Sequence, residues 1–170
     1  MIILIDNREK QPWTFRDIKE KHPDADFQTR LTRIHTGDYT LEGFEDRIAI
    51  ERKSPRDVYI TLQQNFNRFN EEFERMNNME AAWIVVETPL SKYVGASGAD
   101  YYQVLACVQK KHHVLRGMMN LMIRYPRIRW KFCQSPEEAE WFAFLQLLKF
   151  HQKTVGTGSA RPAVPMGYPS

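Results

Sequence analysis

The stretch Thr36-Gly37-Asp38-Tyr39-Thr40-Leu41, followed by Ile48-Ala49-Ile50-Glu51-Arg52-Lys53-Ser54-Pro55-Arg56-Asp57, decides the fold. Residues 46–53 read as a strand, because Ile48 and Ile50 are β-branched and the run is short and bounded by turn-like residues. Side chains alternate along a strand, so Glu51 and Lys53 share one face, about 7 Å apart by strand rise. Residues 40–46 supply a turn that folds 39–42 back against 46–53. That pairing brings Asp38, at the start of the neighbouring strand, beside Glu51. The alternative reading of Gly37-Asp38 is a simple turn, with Gly37 present only for its backbone freedom.

Two carboxylates and a lysine on one small patch have a specific use. Hard oxygen donors hold Mg²⁺ or Mn²⁺. Such a cation polarises a phosphodiester and lowers the pKa of a bound water. The ammonium can hold the attacking water or offset charge growing on the phosphorane. This is the arrangement of the PD-(D/E)XK nucleases, although a bare Asp…Glu-x-Lys recurs by chance. Gly37-Asp38-Tyr39 followed by Glu51-Arg52-Lys53-Ser54-Pro55-Arg56-Asp57 is sharper, and it resembles the GD…ERKxxxD signature of the XPF/Mus-type structure-specific endonuclease family. The resemblance implies an α/β protein with a three-layer α/β/α restriction-endonuclease-like fold and a central mixed sheet. It also implies a metal-dependent DNA endonuclease acting at branched or flap-like DNA, with Mg²⁺ or Mn²⁺ as cofactor. Asp38 and Glu51 then hold the cation, Lys53 orients the water, Arg52 contacts phosphate and Asp57 supports the strand.

The bulk properties agree with an ordinary globular chain. At 170 residues, one domain with a real core is expected. The apolar fraction of 42% is typical, and a net charge of +3 is too mild to indicate nucleic acid by itself. Cys107 and Cys133 lie far apart without a Cys-x-x-Cys or a His pairing, which argues against zinc and against a disulfide framework. They read as buried thiols in a reducing compartment. Met1-Ile2-Ile3-Leu4-Ile5 is too short for a signal peptide and runs straight into charge. No apolar run approaches the ~18 residues of a membrane span. The expectation is a protein of the cytoplasm, or of the nucleus in a eukaryotic source, with no membrane partner.

Residues 1–5 form a continuous apolar run ending at Asp6, which reads as a buried strand with a polar end. Asp6-Asn7-Arg8-Glu9 can be a solvated turn. It also matches the Asp-x-Arg-Glu that ends the first strand of the family, which implies Asp6 and Glu9 as additional acids and Arg8 as a phosphate contact. Residues 16–24 predict a short helix ending near His22-Pro23, and residues 27–34 a strand leading to Gly37. Ser54-Pro55-Arg56-Asp57 is a helix start with Ser54 as cap, so Asp57 has a structural role available as well. Phe66, Phe69, Phe73 and Met76 recur at helical spacing and read as core, with Arg68 off that stripe. The family usually has a basic residue near the position of Arg68, which makes it a candidate DNA contact.

Ala81 to Glu87 predicts a strand buried on both faces, with Glu87 either at the cleft or at a strand end. Residues 88–99 read as a loop or broken helix, and a helix is predicted over about residues 100–124. From Tyr101 to Pro136 there is no acidic residue, while Lys110, Lys111, Arg116, Arg124, Arg127, Arg129 and Lys131 accumulate. That run is a candidate DNA surface with Lys110 and Lys111 at its head, or a solvated face balanced by distant acids. Tyr125 to Cys133 alternates as a strand, and Ser135-Pro136-Glu137-Glu138 opens a last helix. These also resemble the last strand and helix of the XPF nuclease domain, so the resemblance covers about residues 1–150. The expected nuclease domain is 1–153, and the Gly- and Pro-rich residues 154–170 are expected to be a disordered tail.

The chain shows no glycine hairpins of a helix–hairpin–helix domain, on which the family relies to grip duplex arms. Family nuclease domains pair as homodimers or heterodimers through their C-terminal helices. Tyr101, Leu105, Trp141, Phe144 and Phe150 are candidates for such an apolar patch, or for core. Two alternatives to the favoured reading remain. One is a catalytically inactive, nuclease-like DNA-binding subunit, and the other a junction resolvase or restriction-type nuclease of the same superfamily.

Overall fold

The short apolar runs become strands of a single sheet, because none is long enough to cover its own backbone except by lateral pairing. The structure is a computed structural model that describes residues 1–58, 66–94 and 113–156. In chain order its elements are β1 (Ile2–Asp6), α1 (Arg16–Lys21), β2 (Gln28–Thr32), β3 (Tyr39–Leu41), β4 (Ile48–Lys53), α2 (Phe66–Asn77), β5 (Ala81–Val86), α3 (Ser91–Val94), α4 (His113–Arg124), β6 (Ile128–Phe132) and α5 (Pro136–Val155). The six strands lie in the order β2-β1-β3-β4-β5-β6. β1 runs parallel to β2 and antiparallel to β3, β3 is antiparallel to β4, and β4, β5 and β6 are parallel. The sheet is therefore mixed, as the resemblance implies.

Period-two alternation divides the strand residues between two cores. Ile3, Ile5, Tyr39, Leu41, Ile48, Ile50 and Val85 pack on one face against Ile18 of α1 and Ala139, Ala143, Phe144 and Leu147 of α5. Ala49, Ala82, Ile84 and Val86 pack on the other face against Phe73 and Met76 of α2 and Leu115, Met118 and Leu121 of α4. Burying a side chain of Leu or Phe size contributes about 1.5–3 kcal/mol, so two filled faces hold the three layers together. Trp141, Phe144 and Phe150 belong to the first core. Of the two readings open for them, their burial fits core: α5 lies along the sheet, and its aromatic residues meet Phe27, Phe15 and Phe44. Tyr101 and Leu105 fall outside the described residues.

Local signals fix the element ends. Ser135 caps α5 by accepting the Glu138 N–H at 3.2 Å, and Pro136 follows as the first helical residue. α5 continues to Val155, two residues beyond the expected domain end. Residues 55–58 are helical and begin with a reciprocal capping box: Asp57 N–H donates to Ser54 Oγ at 3.2 Å, and Ser54 N–H donates to Asp57 Oδ2 at 3.3 Å. Cys133 is buried, and burial pushes its thiol up to about 12, in keeping with an inert core cysteine.

The turn before β3 depends on one glycine. Gly37 has φ +76°, and a Cβ built there would lie 3.1 Å from both the Ala49 Cβ and the Ile50 carbonyl oxygen. Gly43 has φ +79° with nothing within 4 Å of a built Cβ. Gly37→Ala is expected to lower stability by about 1–2 kcal/mol for the left-handed backbone and further for the contact, whereas Gly43→Ala loses the backbone term alone. Urea denaturation of both variants checks this, and equal losses would mean that the turn at Gly37 yields freely.

Candidate active site

The antiparallel register pairs Tyr39 with Ile50, so Asp38 stands opposite Glu51. The Asp38 N–H donates to the Ile50 carbonyl at 2.9 Å, and the Arg52 N–H donates to Asp38 Oδ2 at 2.8 Å. The acid is thus held to β4 by its own backbone and by its side chain. Lys53, two residues beyond Glu51 on the same face, donates from Nζ to Glu51 Oε1. Glu51 and Lys53 are 5% and 6% exposed, so this ion pair lies inside the protein, with the half-buried Asp38 at its edge.

A third acid approaches from α2. Glu72 Oε1 accepts the Gly37 N–H at 3.1 Å, and Arg75 Nε donates to Thr36 Oγ1 at 3.0 Å. Together they dock the helix on the turn that carries Asp38. Glu72 adds negative charge to Asp38 and Glu51. The sequence does not single out Glu72, because the apolar stripe of its helix is the stronger signal. The available hint is the Glu72…Arg75 pair at helical spacing beside that stripe.

The electrostatics follow from crowding in a poorly solvated place. Burial, assisted by Glu9 and Glu72 and opposed by Lys53, pushes the Asp38 carboxyl up to about 7. Burial and the neighbouring Asp38 push Glu51 well above the usual carboxylate range. Burial works against the Lys53 ammonium, but Glu51 and Asp38 outweigh it and raise its pKa, so it keeps its proton. One fixed ammonium is set against Asp38, Glu51 and Glu72, and the patch is short of positive charge.

Other candidates are placed differently from the expectation. By alternation Asp6 lies on the same sheet face as Asp38, and its N–H donates to the Asp38 carbonyl at 2.8 Å. Both of its carboxylate oxygens, however, accept from the Arg8 guanidinium, and Oδ1 also accepts the Arg8 N–H at 2.9 Å. Burial tends to raise the Asp6 carboxyl, but the Arg8 bonds prevail and hold it below the usual range. Among the described residues no three His, Cys, Asp or Glu side chains are grouped to hold a metal ion, so the three-acid set of Asp6, Asp38 and Glu51 is not assembled. Arg8, expected on phosphate, spends Nε and Nη2 in this way, Nη2 also reaching the Ile34 carbonyl at 2.8 Å, and keeps Nη1 without an acceptor among the described residues.

Arg52 differs most. Alternation sends it to the opposite face from Glu51 and Lys53, where it pairs with Glu87 at 2.8 and 3.1 Å. It also reaches Glu9 Oε1 at 3.3 Å and the Gln11 carbonyl. Its guanidinium stands 5.4 Å from the ring centre of Trp13, whose Nε1 donates to the same Glu87 at 2.8 Å. The Trp13 N–H donates to the Tyr39 hydroxyl at 2.8 Å, and the two rings stack at 4.9 Å. Arg52 therefore ties residues 9–13 to the ends of β4 and β5, and the phosphate contact expected of it has no guanidinium edge to use. Glu9 and Glu87 belong to this clamp and not to the acid pair, although the charge of Glu9 still reaches Asp38.

Asp57 is exposed and spends its carboxylate on Ser54, capping the helical turn that follows β4. The basic run after Tyr101 is partly balanced in space: Arg124 lies 3.8 Å from Glu74, Lys131 lies 2.9 Å from Glu138, and Arg129 covers the Trp83 ring. Arg68 lies in α2, but its side chain, like Lys110 and Lys111 as a whole, falls outside the described residues. No helix among the described residues is long and apolar enough to cross a membrane.

No family model matches this chain, and no curated protein matches it. Solved structures do. XPF from Aeropyrum pernix in complex with DNA superposes with a TM-score of 0.58 at 22% identity, over 89% of this chain and 65% of that one. A second structure of XPF from Aeropyrum pernix gives 0.61 at 19% identity, over 91% of this chain and 67% of that one. This chain thus spans about two thirds of their length, and what it shares with them is the fold of the XPF nuclease domain: a six-stranded mixed sheet between helices.

Proposed function

We propose that this chain is a divalent-cation-dependent DNA endonuclease that hydrolyses phosphodiester bonds, with branched or flap-like DNA as its substrate class. The observation that carries the reading is the facing pair of half-buried Asp38 and buried Glu51, with buried Lys53 as their fixed counter-charge. Likeness of fold to a protein solved with DNA supports the choice of substrate.

The donor chemistry fits Mg²⁺ or Mn²⁺. Both acids offer hard oxygens, and Mg²⁺ is commonly held by one or two carboxylates with waters and substrate phosphate completing the shell. Asp38 and Glu51 would hold it, without Asp6. When bound, the cation supplies Lewis-acid polarisation of the phosphodiester and a more acidic water. Lys53 keeps its proton, so it does not serve as the base. Its charge orients the attacking water and offsets the charge that develops on the phosphorane. Arg52 presents its backbone N–H to Asp38 and clamps the strand ends, while Asp57 secures the chain just after Lys53. Arg68, Lys110 and Lys111 complete the proposal as phosphate contacts.

Asp38→Asn is expected to abolish Mn²⁺-dependent cutting of fork and flap DNA while sparing DNA affinity. Lys53→Ala is expected to keep Mn²⁺ binding and to lose about 10²-fold or more in single-turnover rate. Near wild-type cutting by Asp38→Asn would sink the reading. No cutting by the wild type, with intact DNA binding, would favour the inactive DNA-binding subunit.

The same pair makes stability depend on pH. The Asp38 carboxyl binds its proton more tightly in the folded chain, about 7 against an ordinary 3.8. Its contribution to stability is therefore fully present below about pH 4 and is lost as pH rises through about 7. In EDTA, the wild type should lose melting temperature relative to Asp38→Asn between about pH 5 and about pH 8. Added Mn²⁺ should restore the wild type at the higher pH and do little at the lower one. Parallel profiles for the two proteins would show that Asp38 ionises freely.

A further inference from the structure

The segment between β2 and Gly37 carries charge that the acid pair does not use. Ile34 is buried at 4% exposure, and its carbonyl accepts Arg8 Nη2 at 2.8 Å. Thr36 is buried and held by Arg75, and the Gly37 N–H is held by Glu72. The Asn7 N–H donates to the Thr32 carbonyl at 2.9 Å, which fixes the neighbouring loop against this segment. The backbone of residues 32–37 is thus pinned at several points, and between those pins Arg33 and His35 are exposed.

Arg33, His35 and Arg8 line a surface hollow of about 300 Å³ floored by Ile34. Among the described residues, neither Arg33 nor His35 makes a hydrogen bond or ion pair through its side chain. Arg8 spends Nε and Nη2 on Asp6 and Ile34, which leaves Nη1 without a protein acceptor among those residues. Asp6 is already neutralised by its bidentate partner, so the hollow presents unspent N–H donors and net positive charge. A guanidinium fork and an imidazole N–H suit a tetrahedral oxyanion, and the imidazole can donate in either protonation state. The hollow also adjoins the acid patch, since Arg8 binds the Asp6 carboxylate and the Asp6 N–H donates to the Asp38 carbonyl at 2.8 Å. An extended polyanion lying across the acids would place a neighbouring phosphate there.

We infer that Arg33 and His35, with the outer nitrogen of Arg8, form a subsite for a backbone phosphate of the DNA strand that enters the acid patch. The inference rests on the reading that this chain acts on DNA, but its test needs no cleavage. The probe is a fluorescein-labelled forked duplex, titrated in EDTA over a series of salt concentrations and followed by anisotropy. The Arg33→Ala/His35→Ala double variant removes exposed groups from a pinned backbone, so it should melt like the wild type. It is expected to bind about 10-fold more weakly, with the slope of log K against log salt smaller by about 1. Arg30→Ala is the charge control, because Arg30 lies on β2, does not line the hollow and pairs with Glu42. It should leave affinity and slope unchanged.

Wild-type affinity in the double variant, or an equal loss in Arg30→Ala, would overturn the subsite. Either result leaves the endonuclease reading to its own test in Mn²⁺. Conversely, a wild type that binds through Arg33 and His35 but never cuts would keep the subsite and lose the endonuclease. A wild type that does not bind the fork in EDTA would overturn the subsite as well.

Discussion

Two carboxylates forced together inside a folded chain are the constraint around which this structure is arranged. Asp38 and Glu51 oppose each other because β3 and β4 are paired in a register that leaves them no alternative. Like charges in a poorly solvated place raise each other's pKa and cost stability unless a proton or a cation intervenes. The protein supplies one ammonium, Lys53, and then adds Glu72 from α2, which deepens the deficit. A fold optimised for stability alone would replace the pair with apolar residues. The sheet, the Gly37 turn and α2 nonetheless converge on it, a cost that the proposed cation-binding role would explain.

The rest of the surroundings serves to hold that pair still. On one face α2 docks on the turn through Glu72 and Arg75. On the other face Arg52, Glu87, Trp13 and Tyr39 form a clamp in which every charged group has a partner and the two rings stack. A buried ion pair of this kind adds little net stability against an apolar replacement, but it fixes geometry, and breaking it from one side leaves an uncompensated charge. Asp6 and Arg8 form a comparable closed unit at the end of β1. The acid pair thus sits between two neutralised networks, and burial favours a proton on it where a cation could bind.

How much of this is legible in the sequence depends on the range of the interaction. The strands at 2–6, 48–53 and 81–86 can be read, since alternation and apolar runs are local. The same parity that places Glu51 and Lys53 together puts Arg52 on the far face, yet its position in a recognisable signature draws it into the expected site. Partners such as Glu87 and Trp13 lie 35 and 74 residues from the groups they bind, and no local pattern announces them. Asp6 enters the expected site through its match to the family's Asp-x-Arg-Glu, but an arginine two residues away captures both oxygens. Phe144 and Phe150 read as apolar from sequence; which surface they cover depends on how α5 lies on the sheet.

The proton balance of cation binding probes the facing acids without any need for cleavage. If Asp38 and Glu51 hold the cation, binding must displace protons that burial and mutual repulsion have kept on them. Calorimetric titration of Mn²⁺ into the wild-type protein, repeated in buffers of different ionisation enthalpy, reads that number. The expected result is release of about one proton from Asp38 near pH 6, and less as pH rises past its value of about 7, with Glu51→Gln losing the heat of binding. Binding with no proton release at the lower pH, or unchanged binding in Glu51→Gln, would contradict the paired-acid site and place the cation elsewhere.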